Sequence, residues 1–307
     1  MAILTKAAVK LNVGEPRTVL TAAGLKVLEQ LDFGSGSVGP YYVGGTLETI
    51  EAAQVSLKGK YVYFSVESSF LITTKAGSGS VEGNPLGQAY LNSMGILRVW
   101  QRARGHGVRI GVLDAEFDPQ LHELKPAWDR YRAAYTVFGE DEQPMLREQN
   151  GRDFPRLQLG ENHGTICAAL AAGGISRGSA IGVAPDAALV PLALGTRVSS
   201  IMIARALAYL ANAEGGGCQV ISCSVGDLLN QPGKEVVLDA LSYVESQGVL
   251  IVYAVANSDG KVSDDYLAAD PRVIATAAVD ERNNRVMGAV GSGLACVAQT
   301  APAFGPD

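Results

Sequence analysis

From Arg109 onward, apolar and polar positions fall into two alternating rhythms. Arg109-Ile110-Gly111-Val112-Leu113-Asp114 is a short apolar run closed by a carboxylate, the pattern of a parallel strand buried on both faces. Ala188 to Leu194, Cys218 to Cys223, Val249 to Ala254 and Val273 to Val279 repeat it. Helical spacings lie between them: Ile203, Leu207 and Leu210 behind a capping Ser199 or Ser200, and Val237, Leu241 and Val244 within Lys234 to Gln247. Gly215-Gly216-Gly217 and Gly248 are placed to end these helices. Strand and helix in alternation predict a doubly wound α/β domain, its sheet mainly parallel with helices on both faces.

The first seventy-five residues read differently. Leu25, Leu28 and Leu31 predict a helix over Thr21 to Leu31, and Thr46 to Ala53 predicts a second. Tyr61 to Val66 alternates, with Val62, Phe64 and Val66 expected on one buried side. Residues 1–75 are therefore read as a small α+β domain, 76–84 as a Gly/Ser-rich linker, and 85–307 as the larger domain. Ala133 to Glu161 carries Glu140, Asp141, Glu142, Arg147, Glu148, Arg152 and Asp153, which predicts a long irregular surface insertion.

Composition narrows the function classes. With 307 residues, 47% of them hydrophobic and 18% charged, the chain is long enough for a sizeable core and is not of disordered type. A net charge of −6 without any basic run argues against nucleic acid and anionic membrane as partners. No stretch of about eighteen apolar residues predicts a membrane span. Met1 to Leu20 carries Lys6, Lys10, Glu15 and Arg17 without an apolar segment, so a cytoplasmic location is expected. Cys167, Cys218, Cys223 and Cys296 match no zinc spacing and are expected reduced and buried.

The candidate chemistry lies in two places. Asn162-His163-Gly164-Thr165 opens a run of small residues suited to a closely packed helix, and a histidine held there suits a general base. Asp114 closes the first strand of the larger domain, at the end where open α/β sheets place their chemistry. Taken singly, Asp114 reads as a turn cap, His163 as a helix-end residue, and Asn257 as a turn residue. Asp followed by His is nevertheless the order of one convergent form of the serine-protease triad.

Five ordered motifs between Pro85 and Ala301 resemble the subtilisin-like serine proteases. These are Gly111-Val112-Leu113-Asp114-Ala115-Glu116-Phe117-Asp118-Pro119; His163-Gly164-Thr165; Gly182-Val183-Ala184-Pro185-Asp186-Ala187; Val220-Ile221-Ser222-Cys223-Ser224-Val225-Gly226; and Gly248 through Asn257. The resemblance implies peptide hydrolysis through an acyl-enzyme. His163 would be the base, Asp114 its orienting carboxylate, and Asn257 the oxyanion donor. Ser224, Val225 and Gly226 would pair with an extended peptide or protein substrate. It also implies a propeptide role for residues 1–75. No cofactor is expected, although the family often binds calcium in its loops and the carboxylates between Ala133 and Glu161 are oxygen donors.

The family's Gly-Thr-Ser-x-Ala-x-Pro motif, which carries the nucleophile, does not occur before Asp307. The expectation is an endopeptidase whose serine comes from a missing segment or a second chain. The alternative is a pseudoprotease that binds peptides without chemistry, favoured by Ala115-Glu116 where the family has Ser or Thr and then Gly. A nucleotide-binding reading fails because no Gly-rich turn follows the first strand. A purely structural subunit would leave His163 unperturbed.

Overall fold

Residues 4–67 form a four-stranded antiparallel sheet with two helices on one face. In the computed structural model the protein is described over residues 4–33, 39–67, 69–71, 89–118, 132–138, 144–150, 163–174, 181–195, 197–225, 233–255, 261–279, 284–287 and 294–299. The first unit runs β1 (Thr5–Leu11), α1 (Pro16–Ala22), β2 (Lys26–Gln30), β3 (Tyr41–Gly45), α2 (Leu47–Ser56) and β4 (Tyr61–Val66), in sheet order β2-β3-β1-β4. This is the split βαβ arrangement. Thr46 caps α2 by accepting from the Thr49 N–H at 3.2 Å.

Two local expectations fail here. The helix expected over Thr21 to Leu31 instead ends at Ala22, because Gly24 takes a left-handed φ of 82°, and of the three leucines Leu28 lies in strand β2 with Leu25 and Leu31 flanking it. In β4, Val62 is 63% exposed while the adjacent Tyr63 and Phe64 are both buried. Both faces of the sheet are covered. Ala7, Val9, Val43 and Phe64 pack with Leu20 and Ile50 of the two helices, whereas Ala8, Tyr42 and Tyr63 join the core of the larger domain. A one-sided alternation cannot describe such a strand.

The larger domain follows β5 (Ser69–Leu71) and the short helices α3 (Ala89–Ser93) and α4 (Ile96–Val99). Its elements are β6 (Arg109–Asp114), β7 (Arg132–Phe138), β8 (Pro144–Asn150), α5 (His163–Ala172), β9 (Ala188–Ala193), β10 (Arg197–Ser199) and α6 (Ser200–Ala211). Then come β11 (Val220–Cys223), α7 (Lys234–Ser246), β12 (Leu250–Ala254), β13 (Val273–Val279), β14 (Arg285–Met287) and β15 (Leu294–Gln299). The sheet order is β14-β13-β12-β11-β6-β9-β7-β8, with β15 also on β13. From β13 to β7 every neighbouring pair is parallel. This is the expected doubly wound α/β sheet.

Helices cover both faces. Val112 and Leu189 point into a cluster with Ala168 and Ala172 of α5, while Leu113 and Val190 face the opposite cluster with α6 and α7. Ser199 caps α6 through the Met202 N–H, and Gly248 follows α7 with a φ of 70°. The polar stretch expected as an irregular insertion contains an antiparallel ladder, β7 on β8, joined to the sheet through β9. Sheet edges accept charged residues within strands, so charge content alone misread it.

The N-terminal sheet rests on α6 and α7. Lys10 Nζ donates to both Asp239 oxygens at 2.9 and 2.8 Å, Tyr63 donates to the same carboxylate at 3.0 Å, and Ser65 donates to Glu235 at 2.7 Å. Arg205 pairs with Glu29 and stands over the Tyr42 ring. Glu67 accepts from the Ile201 N–H at the start of α6, at 3.4 Å. Burial pushes the Glu67 carboxyl up to about 7, against the opposing pull of Ser199, Ile201, Arg205 and Lys6. Among the described residues no helix is long and apolar enough to cross a membrane.

Candidate active site

At the carboxyl end of β6 the chain leaves the sheet with a buried carboxylate. Asp114 is fully buried, and its Oδ1 accepts the Ala115 N–H at 2.7 Å. The end of β9 fastens the same turn, with Leu194 N–H on the Asp114 carbonyl at 2.8 Å and Gly195 N–H on the Ala115 carbonyl at 2.9 Å. The turn is therefore held by backbone on two sides, and the Ala115 bond reaches the carboxylate itself before any partner side chain is considered.

Helix α5 begins directly against this turn. Asp118 N–H donates to Thr165 Oγ1 at 2.7 Å, tying the turn to the helix. A Cβ on Gly164 would lie 2.2 Å from the Glu116 carbonyl oxygen and 2.8 Å from Asp114 Cβ, so only glycine allows this approach. Glu116, expected as a second carboxylate near the base, is buried at 3% exposure, and its carbonyl forms the wall that Gly164 meets.

The close approach places His163 on Asp114. Nδ1 lies 2.8 Å from Oδ2 and 3.0 Å from Oδ1, with the imidazole 25% exposed. In the neutral imidazole, a hydrogen on Nδ1 bonded to the carboxylate leaves Nε2 as the acceptor. Burial works against the charged imidazole, yet the Asp114 bond and the neighbouring Cys167 outweigh it and hold His163 well above the ordinary histidine value.

Ser224 follows β11, the strand beside β6. Its N–H is bonded to the Leu113 carbonyl at 3.1 Å, and its hydroxyl lies 3.6 Å from Cys167 Sγ. Val225 is fully buried in the core. Gly226 and Asn257 lie outside the described residues, as do the carboxylates of Glu140, Asp141 and Glu142.

Two features escaped the sequence reading. Cys167 sits one helical turn after His163, with Sγ 3.7 Å from Nδ1. It differs from Cys218 and Cys223, which are buried and whose thiols burial pushes up to about 12. The i to i+4 spacing was the available signal. The second is β10, where Arg197–Ser199 pairs antiparallel with Ser69–Leu71. The two strands form a small sheet of their own, apart from the main one.

The profile of the subtilase family, peptidase S8, matches residues 105–303. A calcium-dependent protease of Nostoc sp. is 28% identical over 204 residues, covering 61% of this chain and 28% of that protein. An alkaline protease of Alkalihalobacillus alcalophilus is 33% identical over 189 residues, covering 59% of this chain and 48% of that protein. The alignments therefore span less than half the length of these curated relatives. Among solved structures, the epidermin leader peptide processing serine protease of Staphylococcus aureus superposes with a TM-score of 0.74 at 17% identity, covering 97% of this chain and 75% of that one. Fervidolysin from Fervidobacterium pennivorans gives 0.64 at 18%, covering 96% and 47%.

Proposed function

The chain belongs to the subtilase family, and from that premise we propose that it carries the carboxylate and base of a serine endopeptidase. The observation that supports this most directly is the pair of hydrogen bonds from His163 Nδ1 to a fully buried Asp114. In this reading Nε2 takes the proton of a serine hydroxyl as it attacks the scissile carbonyl, then delivers it to the leaving amine. Asp114 fixes the tautomer and stabilises the imidazolium between the two transfers. Asn257 is the proposed oxyanion donor, and the backbone of Ser224 to Gly226 a proposed substrate wall. The serine is proposed to come from residues outside these 307, on a longer form of the chain or on a second chain.

Residues 1–75 are proposed to act as a propeptide-like unit. Its docking on α6 and α7 and the pairing of β5 with β10 support that role.

The test is labelling by a fluorophosphonate probe read by intact mass, on this chain together with the polypeptide encoded directly downstream. Labelling of a serine that disappears in His163→Ala is the expected result. Labelling unchanged by that substitution would overturn the assignment of the base. Ala115 and Glu116 at the turn favour a second reading, a peptide-binding pseudoprotease, which predicts peptide binding without labelling.

A further inference from the structure

We propose that Asp114, His163 and Cys167 form an inhibitory site for a thiophilic divalent cation of the zinc type, taken up in place of the proton that Nδ1 shares with Asp114. The inhibitory part rests on the reading of His163 as the base. The ligand atoms of the three residues all lie within 4.8 Å of one another. Tetrahedral zinc with its usual bond lengths sets N···S near about 3.6 Å and N···O near about 3.3 Å. The observed Nδ1···Sγ distance of 3.7 Å already fits. Nδ1···Oδ2, at 2.8 Å, is shorter because a proton and not a metal lies between the atoms, so the carboxylate has only to withdraw by a few tenths of an ångström, roughly.

Charge and surroundings favour the exchange. One carboxylate, one thiolate and a neutral imidazole sum to two negative charges, so a divalent ion makes the enclosed site neutral. Ala115 N–H on Oδ1 and the Ser224 hydroxyl beside Sγ orient two of the ligands from outside the set. Three protein ligands leave the fourth tetrahedral position to water. Sulfur and nitrogen donors select against calcium and magnesium.

Proton balance gives the functional consequence. The thiol proton leaves to solvent; the Nδ1 proton moves to Nε2 of a neutral imidazole or, from an imidazolium, leaves to solvent while Nε2 keeps its own, because the metal takes the Nδ1 lone pair. A protonated Nε2 has no lone pair for a serine proton. Occupancy therefore removes the base without displacing any side chain far from its place.

Cobalt(II) serves as the spectroscopic probe, titrated into the purified full chain. The expected result is a thiolate-to-metal charge-transfer band with tetrahedral d–d bands at one equivalent, displaced by zinc and not by calcium. Both Cys167→Ala and the near-isosteric Cys167→Ser should lose the charge-transfer band and weaken binding more than about a hundredfold, since even partners outside a ligand set can cost that much. A six-coordinate cobalt spectrum, or a charge-transfer band that survives in the folded variants, would overturn the site. This readout needs no catalysis, so its failure is separate from a failure of the protease reading. Zinc should also slow fluorophosphonate labelling of the reconstituted protein and spare Cys167→Ser; equal slowing of both would overturn the inhibitory role.

Discussion

Two contacts in this protein are built on opposite plans. Where α5 meets the end of β6, backbone touches backbone around Gly164, and a single buried ion pair sits at the point of contact. Where the N-terminal sheet meets α6 and α7, side chains make the contact, with Tyr42 and Tyr63 in the centre and Lys10, Ser65 and Arg205 around them. The first plan fixes atoms closely and tolerates almost no change. The second spreads the same task over many residues, so each can be lost at modest cost.

Gly164→Ala is the strongest way to break that contrast. The added methyl would overlap a carbonyl oxygen that the turn cannot withdraw, and the expected loss is more than about 3 kcal/mol in urea unfolding, together with loss of labelling. A variant of wild-type stability would mean that α5 is not seated as tightly as the 2.2 Å contact requires.

Asp114→Asn comes next. It keeps the shape of the contact while removing the charge, and labelling should fall by about ten-thousandfold. The chain has 3 histidines, so the imidazole resonances can be followed individually by NMR. His163 should titrate above the ordinary histidine value in wild type and well below its wild-type value in the variant, where only Cys167 is left to oppose burial. A group raised on folding contributes stability that is complete below its unfolded pKa and is lost as pH rises through the folded value. An unshifted His163 in wild type, or the same titration in both proteins, would remove the electrostatic half of the contrast.

The smallest effect tests the broad interface. Glu67 is raised from 4.5 to about 7, so its contribution is present below about 4.5 and disappears as the pH climbs through about 7. Wild type should lose at most about 3 kcal/mol between about pH 5 and about pH 8 relative to Glu67→Gln, measured by urea midpoints. Parallel pH profiles for the two proteins would show that Glu67 is solvated when the sheet is docked.

The same two plans explain what could be read in advance. β6, β13 and α7 were legible because each has one dominant burial pattern, written in apolar spacing, and because Ser199 and Gly248 mark helix ends chemically. Asp114 and His163 were legible because a strand end and a helix start are where a polar residue in an apolar run has to be explained. β2 and the burial pattern of β4 were misread because the two faces of these strands meet different partners, and no single strand records which. Cys167 was read as one more buried thiol. Its place beside His163 depends on the tilt at which α5 enters, and Gly164 sets that tilt through a contact made 48 residues away in sequence, with Glu116.

The pairing of β5 with β10 makes the N-terminal unit a tethered ligand of its own chain. A tether of this kind presents its strand at an effective concentration in roughly the millimolar range, so a free peptide competing for β10 has its apparent affinity reduced by the ratio of that concentration to the strand's own dissociation constant. On the proposed propeptide role, occupancy of β10 would be set less by how well an incoming peptide fits than by whether the covalent connection ahead of it has been cut.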